Sequence, residues 1–291
     1  MYSEIAANKR KTILLMLVFV ALISAVAYAS SLYFGDNSIV IFALTFSVIY
    51  AFIGYFASSR IALGINGAKP IAKKDAPELY RVVENLSIAG GLPMPQVYII
   101  DDPAPNAFAT GRDPQHSYVA VTSGLLQIMD KTELEGVIGH ELSHVRNYDI
   151  RVMAITAALV SVIAILSDML IRMSIWGGDN DNDNQFGVFI AIAVAIITPL
   201  VAWLVQLAVS RKREFLADAS GAELTRYPEG LASALRKLQT YGKPMRRTST
   251  ATSHLFISNP LGKKGIAASL LSTHPPLEER IAKLEHIKTH A

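Results

Sequence analysis

His140-Glu141-Leu142-Ser143-His144 is the stretch of this 291-residue chain whose residue types and spacing point most directly to chemistry. Residues four apart on an α-helix lie about 40° apart around its axis, so the two imidazoles leave one face and can converge on one ion. Glu141 lies about 60° to one side of His144, where its carboxylate can reach a metal-activated water without ligating the metal. Two imidazoles, a carboxylate base and an open coordination position suit zinc-dependent hydrolysis, in which the ion lowers the pKa of its water to about 7 and the glutamate accepts the proton. The segment falls on a predicted helix. Thr132-Glu133-Leu134-Glu135 reads as its capping-box start, Val137, Ile138, Leu142 and Val145 continue it, and Gly136 and Gly139 leave room for a close neighbour. An ordinary helix carrying two histidines is the plain alternative.

A hydrolytic zinc site takes three protein ligands. The chain has no cysteine, which removes thiolate sites and disulfides and leaves histidine and carboxylate. Glu214 and Asp218 share a helix face in Arg211-Lys-Arg-Glu-Phe-Leu-Ala-Asp218. The same spacing also describes a solvated charge cluster, and Glu223 is a rival.

The elements that must carry these residues follow from composition. The chain is 51% hydrophobic and only 18% charged, against about 25% charged in an ordinary soluble domain. The excess falls in four blocks, at about 12–34, 38–57, 152–171 and 186–209, each near the 20 or so apolar residues that cross a bilayer as a helix. The third is weakened by Ser161, Ser167 and Asp168, and a buried soluble helix is the other reading of it. The first block follows Lys9-Arg10-Lys11 but is too long for a signal-peptide core, so it reads as a retained anchor.

Basic residues flank the spans on one side: Lys9–Lys11, Arg60, Lys69, Lys73, Lys74, Arg146, Arg151 and Arg211–Arg213. The loops at 35–37 and Gly177–Gln185 carry none, and the second holds Asp179, Asp181 and Asp183, read as a solvated exterior loop. The positive side is cytoplasmic. This organises the chain as a membrane hairpin (1–58), a first soluble part (59–151), a second hairpin (152–209) and a second soluble part (210–291). Net charge is +3; much of it flanks the spans and calls for no nucleic-acid partner.

The first soluble part reads as mixed α and β. An amphipathic helix runs from Asp75, its cap, to Ala89 and ends at Gly90-Gly91. Strands follow at Gln96–Ile100, Ala107–Thr110 and Ser117–Thr122. The last is expected at the sheet edge, where an extended peptide could pair with it. The fold class is therefore α+β: a mainly helical membrane protein of four spans, with a catalytic domain on the cytoplasmic side that carries a small sheet.

Five motifs together resemble the HtpX group of membrane zinc metalloproteases, relatives of the CAAX prenyl endopeptidases: His140–His144, Arg213-Glu-Phe-Leu-Ala-Asp218, Thr273-His-Pro-Pro-Leu-Glu-Glu-Arg280, Pro105-Asn-Ala-Phe-Ala-Thr-Gly111 and His254-Leu-Phe-Ile-Ser-Asn-Pro260. The resemblance covers nearly the whole chain. It implies a zincin-like domain with one zinc on His140, His144 and Glu214, and Glu141 as general base. It further implies Asp218 paired with Arg280 behind the ligands, His274 at the oxyanion of the tetrahedral intermediate, and Asn106 holding substrate backbone. The implied activity is endopeptidase cleavage of membrane proteins in the inner membrane of a prokaryote, as quality control of misfolded or surplus chains. A non-catalytic scaffold or transporter is the competing class, with prenyl-protein cleavage as a third reading, disfavoured by only four spans.

Overall fold

The computed structural model describes residues 2–176, 205, 210–262 and 275–288. Apart from Val205, the expected fourth span at 186–209 lies outside the described residues, as do the acidic loop before it and His274.

Helix α1 (Tyr2–Phe34) and helix α2 (Ser38–Ile65) form the first hairpin. Gly35 turns the chain at φ +71°, a conformation that only glycine adopts without strain, and Asp36 Oδ1 accepts from Ser38 N at 2.8 Å. Ile41, Phe42, Phe52 and Phe56 stand exposed on the outer surface of α2. A row of this kind is unfavourable in water and matches a lipid exterior. Toward the interior, Leu15, Phe19, Leu22 and Ala51 pack on Val152, Ile155 and Leu159 of the later helix α6 (Asp149–Trp176).

Three helical segments among the described residues are long and apolar enough to cross a membrane: Ile5–Leu32, Ser38–Ile65 and Asp149–Asp168. The third differs from the hairpin, because 72% of its apolar window is buried inside the protein, between α1, α2 and the sheet. Its polar residues are accommodated locally. The hydroxyls of Thr156 and Ser161 donate one turn back to Val152 O and Ala157 O, and Asp168 pairs with Arg172 at 2.7 Å.

The sheet has four strands: β1 (Ala68–Pro70), β2 (Gln96–Ile100), β3 (Ala107–Asp113) and β4 (His116–Thr122), in the order β1-β2-β4-β3. β2 and β4 are parallel and the other pairs antiparallel. β4 is therefore interior, with both edges paired, and the expectation of an open edge there is corrected: β3 takes the edge. The hairpin from β3 returns β4 between β3 and β2. Beyond β3 the chain at 256–257 adds a short cover, with Ile257 N donating to Ala107 O at 2.9 Å and the Phe108 and Phe256 rings 4.9 Å apart.

Helix α3 (Pro77–Ala89) begins two residues later than its expected cap, because Asp75 turns its carboxylate back to Ala72 N. Helix α4 (Ser123–Ile128) leads to helix α5 (Lys131–Arg146), which carries the histidines. Its capping box is Asp130 with Glu133, two residues earlier than Thr132 with Glu135. The buried Glu133 also holds Lys237 at 2.6 Å and Ser233 at 2.7 Å, so tertiary partners select this register.

Helix α5 lies between the sheet and helices α7 (Arg211–Thr225), α8 (Pro228–Tyr241) and α9 (Leu277–Lys288). Two glycine contacts set the distances. A Cβ on Gly136 would stand 2.5 Å from Leu231 N, and one on Gly221 would stand 2.8 Å from His140 N. The backbone of α7 thus lies against α5 at the histidine itself, which no larger residue at Gly221 permits.

Candidate metal centre

That approach brings the carboxylates of α7 to the imidazoles of α5. His140 Nε2 and His144 Nε2 are 3.2 Å apart, with the rings nearly perpendicular. Glu214 stands 3.8 Å from His140 Nε2 and 3.7 Å from His144 Nε2. One ligand atom from each of the three residues falls within a 4.8 Å group, and all three residues are buried. Ligands of tetrahedral zinc at about 2.0–2.1 Å stand about 3.3 Å from one another, so donor type and spacing both fit such an ion.

The outer nitrogens of both rings face carboxylates. His140 Nδ1 is 2.9 Å from Asp218 Oδ1, and His144 Nδ1 is 3.1 Å from Asp149 Oδ2. Such partners fix the tautomer that leaves Nε2 as the metal-facing atom. Asp218 is itself held by Arg280 of α9, whose Nε and Nη2 donate to its two oxygens at 2.8 and 2.6 Å, while Nη1 donates to Ile257 O at 3.0 Å. Arg280 is completely buried. The structure thus joins Asp218, Arg280 and His140.

Asp149 and its partners were not evident from sequence. Asp149 follows the end of α5, and Tyr148 takes φ +61°, a left-handed conformation that few non-glycine residues adopt. That corner turns Asp149 back onto His144. A carboxylate five residues after the second histidine was the available signal, obscured by its place at the head of an apolar span.

Burial and charge set the protonation states. Burial, reinforced by Arg280, lowers the His140 pKa to about 4. Burial also opposes a charge on His144, but the hydrogen bond to Asp149 and the charge of Glu214 outweigh it and raise the pKa to about 9. Burial, with Glu214 nearby, raises Glu141 to about 7. Asp218 is held well below the usual carboxylate range: burial opposes its charge, but Arg280 outweighs it. A charged His144 therefore donates its Nε2 proton toward His140 Nε2. A metal ligand must be a neutral imidazole, so zinc binding near pH 8, where Glu141 is already mostly ionised, is expected to release about one proton per chain from His144. The release fades as pH rises past 9, where the ring is already neutral. Calorimetric titrations in two buffers of different ionisation enthalpy read this count directly.

Glu141 lies beside the triad, with Ala109 N of β3 hydrogen-bonded to its carboxylate. Its Oε2 is buried and has no hydrogen-bond partner among the described residues. Asn106 is placed differently from its expected role. It is buried, its Nδ2 donates to Ser258 O at 2.9 Å, and its Oδ1 accepts from Ala107 N and Ser258 N. Its amide braces the start of β3 against the 256–259 segment.

Membrane-length helices beside a buried His, His, Glu cluster, with a further carboxylate next to it, define the class of membrane metallopeptidases. Residues 73–288 match Peptidase family M48. The chain is 50% identical over 288 residues to "Protease HtpX homolog" of Tropheryma whipplei (strain Twist), covering 99% of this chain and 98% of the relative. It is 46% identical over 300 residues to "Protease HtpX homolog" of Lactobacillus helveticus (strain DPC 4571), covering 99% of this chain and all of the relative. The chain belongs to Peptidase family M48, as a metalloprotease of the HtpX type. In fold it is also similar to the crystal structure of S. mikatae Ste24p, with a TM-score of 0.52 and 16% identity over 98% of this chain and 67% of that one.

Proposed function

We propose that the chain is a zinc-dependent endopeptidase that cuts membrane proteins on the cytoplasmic side of a prokaryotic inner membrane, as quality control of misfolded or surplus chains. The observation that carries this reading is the convergence of His140, His144 and Glu214 beside the Glu141 carboxylate, next to the start of α1, where Asn8 bonds Asn147 and Arg213 and Lys9–Lys11 follow. His140, His144 and Glu214 would hold one zinc, which when bound supplies Lewis-acid activation of water and of the scissile carbonyl. Glu141 accepts the proton released as water attacks and returns it to the leaving amine. Asp218 and Arg280 orient His140, and Asp149 orients His144. His274 is proposed to donate to the developing oxyanion. Asn106 serves by holding the 256–259 segment against β3, the strand that touches Glu141 through Ala109.

The cytoplasmic placement rests on Lys9–Lys11, Arg60, Lys69, Lys73, Lys74 and Arg211–Arg213, all on one side of the spans. A transporter should carry paired ionisable groups at mid-span. Among the described residues the spans carry charges only near their ends.

The test uses the purified full chain in detergent with a destabilised membrane protein as substrate. Zinc is expected to support cleavage, a chelator to stop it, and re-added zinc to restore it. Cleavage that survives complete metal removal would overturn the reading. Preferential cleavage of a prenylated C-terminal peptide over an unmodified membrane protein would move it to prenyl-protein processing.

A further inference from the structure

Asn8 lies near the start of α1, more than a hundred residues in sequence from the metal-binding helices, and is 1% exposed. Its amide is fully engaged with the site's surroundings. Nδ2 donates to Asn147 O at 2.9 Å and to Asp149 Oδ1 at 2.8 Å, while Oδ1 accepts from Arg213 Nη1 at 3.2 Å. Each partner adjoins the centre. Asn147 caps the C-terminus of α5, three residues after His144. Asp149 carries its other oxygen to His144 Nδ1. Arg213 directly precedes Glu214 and itself stands 3.5 Å from Asp149 Oδ1.

We infer that Asn8 is a positioning residue of the metal centre, so that the first membrane helix is a working part of the site as well as an anchor. The inference rests on the reading of His144 and Glu214 as ligands. Asp149 can direct His144 only if the carboxylate itself is fixed, and Asn8 fixes the oxygen that His144 does not use. The same amide holds the Asn147 carbonyl immediately before the left-handed Tyr148, a strained corner that persists only where its surroundings determine it. Through Arg213 it also sets where α7 begins relative to α5. Without Asn8, the Asn147 carbonyl and half of the Asp149 bonding are lost in a buried place. Arg213 can replace the contact to the carboxylate but, being a donor alone, cannot take over the acceptor that it loses.

The experiment measures the zinc dissociation constant of the full-length protein in detergent, by competition with a chromophoric chelator. Asn8→Ala is expected to weaken zinc about tenfold, the lower end of what losing an outer-shell partner does to a metal site. Thr12→Val, one turn further along α1, removes a hydroxyl that among the described residues bonds the Asn8 carbonyl and is expected to leave zinc affinity unchanged. Asn8→Ala combined with Asp149→Asn should weaken zinc by less than the product of the single effects, because both act through one chain of contacts. If Asn8→Ala fails to fold, Asn8→Asp decides by the same measurement: it keeps the size and the acceptor for Arg213 but sets an anion against Asp149. A folded Asn8 variant that binds zinc like the parent, with only its unfolding temperature lowered, overturns the inference. A parent that binds no zinc overturns instead the reading beneath it.

Discussion

Glu141→Gln is expected to bind zinc as the parent does and to cleave a membrane-protein substrate at least about a thousandfold more slowly, within the range of about 10²–10⁴-fold that a positioned base contributes. The substitution keeps the shape of the side chain and its contact with Ala109, and removes only the capacity to take up a proton. Glu141 suits the task because burial raises its pKa to about 7, so the metal-free carboxyl titrates near working pH instead of near 4.5. The rate is therefore expected to fall as the medium is acidified and the carboxylate is protonated. A cation held by His140, His144 and Glu214 favours the charged form, which moves this acidic limb of the zinc-loaded enzyme below pH 7. The check is kcat at saturating substrate across pH 5 to 9, alongside zinc content. A variant that binds zinc fully and cuts at the parent's rate would remove Glu141 from the chemistry.

Arg280→Met is expected to lower stability by about 3–5 kcal/mol, the usual result of stranding one member of a buried ion pair. The guanidinium is fully buried and donates to both oxygens of Asp218 and to Ile257 O. Asp218, held ionised largely by that charge, would be left as an anion without its counter-ion. The effect reads as a drop in the thermal unfolding midpoint in detergent. Zinc affinity should fall about 10–100-fold as well, because Asp218 orients the His140 ring. Adding Asp218→Asn removes the stranded charge, so the double variant should lose less than the sum of the two single losses. An unfolding midpoint like that of the parent in Arg280→Met would show that the pair carries no such load.

The parts of the fold that sequence discloses are those with a local period or a local charge pattern. Gln96–Ile100 forms a strand with the expected bounds, and the first two apolar blocks lie in two long helices. The spacing of His140 and His144 placed both on one face, as the structure shows. What sequence left open was decided by contacts between distant residues. Asp130 displaces Thr132 as the cap because Glu133 is held by Lys237 and Ser233 from α8. β4 lies inside the sheet because β3 folds back along it, which alternation alone does not reveal. Glu214 and Asp218 could not be separated from a surface charge cluster by spacing, since their burial depends on Gly221 admitting the backbone of His140. Asp149, Asn8 and Arg213 carried no motif. Their relation exists only where α1, the end of α5 and the start of α7 meet.

The central claim is that His140, His144 and Glu214 together hold one zinc, and the most direct measurement is the metal content of Glu214→Ala. After purification with zinc and dialysis against zinc-free buffer, the parent is expected to retain about one zinc per chain, as three protein ligands hold it. Glu214→Ala, with two imidazoles left on α5, is expected to retain almost none. Full zinc occupancy in a folded Glu214→Ala protein would contradict the assignment and move the third ligand elsewhere.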